Sequence, residues 1–344
     1  MLKRLINELH CKLTITTTGP VLVKSGHASV SGPDMTPVRI YRNGRSEVYL
    51  PGSSLKGVIR SHLEKVCRTL QPGLVCNPFI RTTSAAVTAE GKLLCRDFSD
   101  VACGDKFEVR EKGEVKVDEK KWRRPKEELS NAQVYSDSCP ICRVFGSNSF
   151  IGRFSIGDGY LTTTGRTETR DGVGIDRLTG GAAHGAKFEL ESVSAGVSFE
   201  SDILLRNFEC WQVGMLLVVA ADLRDGLMRI GSGRSRGLGD VRGQLSALTI
   251  NTLAVTAGRP VDEVWGLGRF LSDSERGAYG TFADDMIKIG LAPAEDTKGL
   301  RRIAAFSGDT VALLEAEACA EFTRRLNGWP ERKGMQWHND WQRG

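Results

Sequence analysis

Apolar and polar residues alternate along several short stretches of the chain, which is the pattern of strands with one buried face. The first such stretch is residues 11–18, where Leu13 and Ile15 lie on one side. Similar segments follow later in the chain, at residues 150–161, 188–205 and 241–250. The continuous apolar run at residues 213–223 is typical of a buried strand. The pattern therefore predicts a sheet built from antiparallel strands.

Two other segments show the three-to-four-residue spacing of an amphipathic helix. The first covers residues 53–70, and Ser53 or Ser54 is a suitable N-cap for it. The second begins with Asp309 as its N-cap and ends at Gly328. A strand, a helix, further strands and a late helix together predict an α+β fold.

Composition and charge narrow the class of protein. The formal net charge of +5 permits a polyanionic partner without requiring one. Nine cysteines occur without the apolar segment of a secretory signal, so we expect reduced thiols and a soluble, cytoplasmic protein. No apolar run reaches the length of about 18 residues that a bilayer span needs, so we expect no membrane partner.

The start of the first predicted helix offers the chemistry of a phosphate site. Backbone N–H groups at a helix N-terminus point towards a ligand, and the helix dipole adds partial positive charge there. Ser53, Ser54 and Lys56 supply two hydroxyls and a cation in the same turn, and Arg60 follows one turn later. The alternative is a capped surface helix that binds nothing.

Residues 51–57, Pro-Gly-Ser-Ser-Leu-Lys-Gly, resemble the signature of the RAMP superfamily, specifically the large backbone subunits of CRISPR effector complexes. The resemblance implies a ferredoxin-like or RRM-like core with an inserted lid, a thumb β-hairpin and an additional C-terminal helix. It implies a single domain over residues 1–344. Its parts outside the core would be a lid or zinc-binding insertion at 72–138, the thumb at 162–192 and a C-terminal extension at 251–344.

Two further glycine-rich segments resemble parts of the same family. Residues 172–185 are similar to the thumb that folds over the guide RNA, and residues 231–239 are similar to the glycine-rich segment beside the guide. In the second segment, Arg234 and Arg236 stand among glycines whose backbone N–H groups can cradle phosphates. The alternatives are a mobile surface excursion and a tight hairpin with solvated arginines. Neither segment matches a Walker loop or a Rossmann fingerprint, so a nucleotide-hydrolysing enzyme has little support.

The cysteines point to a structural zinc ion. Cys139 and Cys142 have the Cys-x-x-Cys spacing that lets two thiolates reach one zinc ion. Cys76, Cys95 and Cys103 lie in the same predicted insertion and offer further ligands, of which we favour Cys76 and then Cys95. The alternative is a set of buried thiols that act as small apolar side chains.

The loop at residues 31–39 is the segment that indicates whether the chain is catalytic. In type III subunits of the family that this chain resembles, an aspartate in the loop before the signature helix cuts target RNA with a metal ion. Here Met35 falls at that position, and Asp34 lies one residue early. A thioether neither binds a hard cation nor takes a proton, so the sequence favours a subunit without catalysis of its own. The alternative is a type III-like subunit that cleaves target RNA through Asp34.

Together these features predict a type IV-like backbone subunit that grips a CRISPR guide RNA by its backbone, so that the guide sequence is free to vary. The expected partners are the guide RNA, complementary target nucleic acid, copies of the chain in a helical filament and other effector subunits of antiviral defence. The expected RNA-binding residues are Ser53, Ser54, Lys56, Arg60, Arg39, Arg177, Gly180, Gly231, Arg234, Ser235 and Arg236.

Overall fold

The fold is taken from a computed structural model of the chain, which describes residues 3–26, 32–42, 44–78, 103, 130–253 and 259–329. Most of the predicted insertion at 72–138, including Cys95, lies outside the described residues.

The sheet strands and short ladders occur throughout the described chain. In order they are β1 (Asn7–Thr17), β2 (Arg39–Arg42), β3 (Arg45–Val48), β4 (Gly146–Ser147), β5 (Phe150–Ile151), β6 (Phe154–Ile156), β7 (Tyr160–Leu161), β8 (Thr167–Ile175), β9 (Ala182–Val193), β10 (Ser198–Arg206), β11 (Val241–Thr252), β12 (Glu263–Trp265), β13 (Met286–Lys288), β14 (Ala294–Lys298) and β15 (Arg301–Ala305). The α-helices are α1 (Gly52–Leu70), α2 (Asn131–Ser136), α3 (Pro140–Phe145), α4 (Cys210–Arg224), α5 (Asp273–Tyr279) and α6 (Asp309–Asn327). Short 3₁₀ turns cover Arg234–Arg236 and Leu267–Phe270.

A seven-stranded antiparallel sheet organises the chain. Its order is β14-β15-β11-β1-β10-β6, and β7 also pairs with β10. In chain order, the central elements are β1, α1, β6, β10, α4 and β11. If β1, β6, β10 and β11 are numbered 1 to 4 in chain order, they lie side by side in the sheet as 4-1-3-2. This is the ferredoxin-like arrangement. The predicted α+β fold is confirmed.

One face of this sheet forms the core. Along β1, Leu9, Leu13 and Ile15 are buried, whereas Lys12 points to the other, more open face. Helix α4 packs on the buried face, α1 lies beside it, and α6 covers α4. The contact between α4 and α6 is very close, because a Cβ on Gly214 would lie 2.0 Å from the carbonyl oxygen of Ala318.

The prediction of a strand at residues 213–223 is wrong, because this segment belongs to helix α4. Its residues are apolar on nearly every face, and most of them are buried between the sheet, α1 and α6. A helix of this kind lacks the one-sided periodicity that distinguishes a helix from a buried strand.

The predicted N-caps are also wrong. Helix α1 has Pro51 at its N-cap without a side-chain cap, and the Gly52 N–H instead donates to Asp158 Oδ1 over 2.7 Å. This carboxylate comes from the β6–β7 turn and complements the positive end of the helix dipole. In α6 the N-cap is Gly308, and Asp309 is the first helical residue.

A long hairpin leaves the sheet between β7 and β10. Strands β8 and β9 pair along their length, and the turn between them lies within residues 176–181. Most of the hairpin is exposed or half-buried, as expected for an element that projects from the body of the protein. Among the described helices, none combines the length and hydropathy that a transmembrane span needs.

Candidate nucleic-acid interface

Helix α1 presents two faces with different surroundings. Lys56 Nζ donates to the carbonyl of Phe154 over 3.2 Å, and burial lowers the pKa of this lysine. One turn on, Arg60 donates to Glu64 and to the carbonyl of Gly146. These two cations, both predicted to bind RNA, thus lie against the protein itself.

The exposed part of α1 is formed by other residues. Ser53 and Gly57 are exposed, Ser54 is half-buried, and a Cβ on Gly57 would meet nothing within 4 Å among the described residues. Four residues after Gly57 lies Ser61, which is exposed as well. This face is therefore open to a partner.

An open groove runs between α1 and the glycine-rich loop at residues 231–239. It has a volume of about 380 Å³, which is room for a sugar–phosphate unit and not merely for a single water molecule. Its lining residues are Val58, Ser61, His62, Lys65, Leu227, Met228, Arg229, Arg234 and Ser235. Two of the predicted RNA-binding residues, Arg234 and Ser235, therefore share a groove with the signature helix.

The glycine-rich loop is held in a defined shape. Gly231 has φ +84° and lies so close to the carbonyl of Leu22 that a Cβ would be 2.4 Å from its oxygen. The turn at Arg234–Arg236 is flanked by left-handed Gly233 and Gly237. Positive φ angles favour glycine at all three positions, and at Gly231 the lack of space also excludes any side chain.

Arg229 holds this loop in place through a hydrogen bond and an ion pair. Its guanidinium donates to the carbonyl of Arg234 over 2.8 Å and pairs with Asp240 at 2.7 Å. In contrast, the side chains of Arg234 and Lys65 are exposed and have no ion pair or hydrogen bond among the described residues. Among the described residues, the groove thus contains two cations without a side-chain partner, Lys65 and Arg234, and one that is paired within the protein, Arg229.

The hairpin β8–β9 meets the same loop partway along its length. The guanidinium of Arg236 lies over the ring of Phe188, 5.8 Å from its centroid, and this ring in turn covers Gly172 on β8. Arg177 and Gly180 lie far along the hairpin in its exposed turn, where Leu178 is 96% exposed. The structure brings the middle of the hairpin, but not its tip, next to the glycine-rich loop.

The loop that carries Asp34 is attached to the hairpin as well. Asp34 Oδ2 accepts from the Glu189 N–H over 2.8 Å, and the backbone of Met35 bonds to β9 on both sides of Leu190. Arg39 on β2 pairs with Glu191 at 2.6 Å. Both predicted residues of this loop therefore hold the loop against β9.

A histidine and aspartate pair adds a feature that the sequence did not identify. His62 Nε2 lies 2.5 Å from Asp222 Oδ2, and each side chain is about one-fifth exposed. The partner of His62 lies 160 residues away on α4. No sequence motif links the two positions.

Four buried cysteines form a cluster on the inner side of α1. The sulfur atoms of Cys76, Cys103, Cys139 and Cys142 all lie within 4.8 Å of one another. Those of Cys76 and Cys142 are 3.6 Å apart, close to the separation of about 3.8 Å between thiolates on a tetrahedral zinc ion. Cys103, which is far from Cys76 in sequence, occupies the fourth position among the described residues.

Donors around this cluster favour thiolates. The backbone N–H of Cys142 points to Cys139 Sγ at 3.4 Å, and the N–H of Cys139 points to Cys103 Sγ at 3.3 Å. Arg60 Nη2 approaches Cys142 Sγ at 3.5 Å. Burial raises the pKa of the Cys139 thiol, but hydrogen bonds from the other three thiols hold that pKa well below its usual value. The pKa values of the Cys103 and Cys142 thiols are raised instead, chiefly by their contacts with the neighbouring thiols. A set of four sulfur donors with such support fits a structural zinc ion.

Comparisons with known proteins identify the family. A search of curated protein sequences gives no match. The family model described as the RAMP superfamily matches residues 14–242, which is more than half of the chain. The match spans the signature helix, the hairpin β8–β9 and the glycine-rich loop, and it ends just after β11 begins. The chain therefore belongs to the RAMP superfamily.

Proposed function

We propose that this protein is an RNA-binding backbone subunit of a CRISPR effector complex, and that copies of it assemble along a guide RNA in the cytoplasm. Membership of the RAMP superfamily supports CRISPR-associated RNA binding in general. The type IV-like assignment, the filament and the other effector subunits are part of this proposal.

The observation that carries the proposal is the adjacency of three segments. Helix α1 and the glycine-rich loop line one groove, and this loop touches the middle of hairpin β8–β9 through Arg236 and Phe188. Free cations and hydroxyls on such a surface suit the phosphates and sugars of a strand, which carry no sequence information. A surface of this kind supports a subunit that accepts any guide sequence.

The contacts also sort the proposed RNA-binding residues. Arg234 and Ser235 line the groove. Ser53 and Ser54 lie at the start of α1, the helix that forms the other side of the groove. Arg177 and Gly180 would contact RNA only where a strand passes the tip of the hairpin. Lys56, Arg60 and Arg39 already have protein partners, and we propose that they act by positioning α1 and the 34–39 loop.

The alternative function, cleavage of target RNA through Asp34, has no specific support in the contacts of this residue. One oxygen of its carboxylate already accepts the Glu189 N–H. A metal-dependent cut would also need further ligands, and the one group of ligand side chains found among the described residues is the cysteine cluster. We therefore propose binding without cleavage as the function of this chain.

We also propose that the cysteine cluster holds a structural zinc ion. Cys139 and Cys142 come from the start of α3, and Cys76 follows α1, so one ion would tie these segments to residue 103. When bound, zinc would contribute folding energy and no open coordination position, because four thiolates complete its tetrahedron.

The test is the nucleic acid that accompanies the purified full-length protein. We expect protein made together with a CRISPR transcript to show raised absorbance at 260 nm and to form large particles. Ribonuclease should collapse these particles to small species, whereas deoxyribonuclease should leave them intact. Protein that emerges free of RNA, or particles that survive ribonuclease, would contradict the proposal. Regularly spaced cutting of a complementary RNA with magnesium, abolished by Asp34→Ala, would instead support the cleaving alternative.

A further inference from the structure

We propose that the His62–Asp222 pair makes the groove selective for ribose, with His62 Nδ1 accepting a hydrogen bond from a 2′-hydroxyl group of the bound strand. The inference rests on the proposed RNA binding and adds a reader of sugar chemistry to it. Its starting point is one contact, the 2.5 Å approach of His62 Nε2 to Asp222 Oδ2.

The contact with Asp222 decides which nitrogen of the imidazole carries the proton. An ionised carboxylate can only accept hydrogen bonds, so Nε2 is the nitrogen that carries the proton when the ring holds a single proton. The remaining nitrogen, Nδ1, is then an acceptor. It has no hydrogen-bond partner among the described residues, and His62 lines the groove. Asp222 therefore sets Nδ1 as the acceptor of a side chain that lines the groove.

The other polar side chains of the groove suit the rest of a sugar–phosphate unit. Lys65 and Arg234 offer free N–H donors, and Ser61 and Ser235 offer hydroxyls beside them. Phosphate oxygens only accept, so the donors match the phosphate and leave Nδ1 without a match there. In an RNA backbone the 2′-hydroxyl is the group that can donate, and it is the group by which proteins distinguish RNA from DNA.

This assignment sets the size of the effect. One hydrogen bond exchanged for a bond to water contributes about 0.5 to 1.5 kcal/mol, which corresponds to about twofold to twelvefold in affinity. We expect the full-length protein, freed of copurified RNA, to bind an oligouridine tighter than the matching oligodeoxyuridine by a factor in this range. A 2′-O-methyl oligouridine should bind like the deoxy strand, because its methylated oxygen cannot donate.

Two variants distinguish the effect of the His62 acceptor on binding from the effect of the positive charge in the groove. His62→Ala should lower affinity for the ribose strand by the same factor, leave affinity for the deoxy strand unchanged and abolish the preference. Asp222→Asn keeps the imidazole but releases its tautomer, so it should reduce the preference. His10→Ala is the matched control, because His10 lies on β1 towards the opposite face of the sheet, and it should keep the wild-type preference.

Fluorescence anisotropy with the three labelled strands gives the binding ratios, and circular dichroism checks that each variant is folded. Nitrogen-15 spectra give an independent readout, in which Nδ1 of His62 should be unprotonated in the wild type and partly protonated in Asp222→Asn. Equal binding of the three strands by the wild type, an unchanged preference in His62→Ala, or a protonated Nδ1 at neutral pH would each overturn the inference. If no strand binds at all, the proposed function fails as well. If all strands bind equally, only ribose selection fails.

Discussion

The two free cations of the groove lead to a quantitative prediction about salt. The side chains of Lys65 and Arg234 have no ion pair or hydrogen bond among the described residues, whereas the Arg229 side chain pairs with Asp240 and donates to the Arg234 carbonyl. We therefore expect Lys65→Gln and Arg234→Gln each to remove one phosphate contact. Neither change removes an interaction that holds the fold, so both variants should keep the wild-type stability.

The magnitude follows from counterion release. For single strands, the slope of log affinity against log salt concentration is about 0.7 per neutralised phosphate. Each single variant should therefore lower the slope by about 0.7, and the double variant by about 1.4 if the two contacts are independent. A fourfold rise in salt concentration weakens binding by about 2.6-fold per contact, so the wild type should lose about sevenfold more affinity than the double variant over that range.

The assay is a titration of labelled oligouridine at several salt concentrations with the full-length protein. Arg301→Gln is the matched control, because Arg301 is an arginine on β15 that pairs with Glu8 away from the groove. Its slope should equal that of the wild type. If Arg234→Gln and Lys65→Gln also keep the wild-type slope, then the groove does not hold phosphates and the reasoning from free cations fails.

Three further predictions concern stability and the metal. Gly214→Ala should destabilise the protein by about 1–3 kcal/mol or more in urea, because its Cβ would overlap a backbone oxygen; exposed Gly57→Ala should instead raise stability, by up to about 1 kcal/mol, and equal effects would contradict the close packing. One zinc ion per chain should be found by elemental analysis and lost in Cys142→Ser with a lower melting temperature, whereas Cys319→Ser, outside the cluster, should retain it; full metal content in Cys142→Ser would exclude this ligand. Burial raises the pKa of the Asp285 carboxyl from 3.8 to about 7, so the native state holds a proton that the unfolded chain releases. The free energy of unfolding should therefore fall as pH rises between about 4 and 7, by up to about 1.4 kcal/mol per pH unit from this group; Asp285→Asn should lose that part of the slope, and an unchanged slope would refute the assignment.

The sequence predicted the elements that have one buried face. Helix α1 and helix α6 repeat apolar residues at helical spacing, and β1 and β11 alternate, so their periodicity reported the position of the core directly. The hairpin β8–β9 was predicted through its resemblance to the RAMP thumb, because its exposed residues carry too weak an apolar pattern to show paired strands.

What the sequence could not predict depends on contacts between distant segments. Helix α4 is buried on nearly all sides, so its apolar run gave no helical signature. The cap of α1 comes from Asp158, and the partner of His62 is Asp222, both more than a hundred residues away. Such pairs follow from the way β6 and α4 are placed against α1, and no local rule describes that placement.

The two faces of α1 connect the cysteine cluster with the groove. Arg60 and His62 are two residues apart, which is about 200° around a helix, so they point in nearly opposite directions. Arg60 holds Glu64, the Gly146 carbonyl and Cys142 Sγ, whereas His62 lines the groove with its acceptor set by Asp222. A hydrogen bond to the ligand requires the groove side chains to be held in place, and their position depends on the rotation of α1. Arg60 links this side of α1 to the cysteine cluster through Cys142 Sγ, so we expect loss of the proposed zinc ion to weaken RNA binding at the groove.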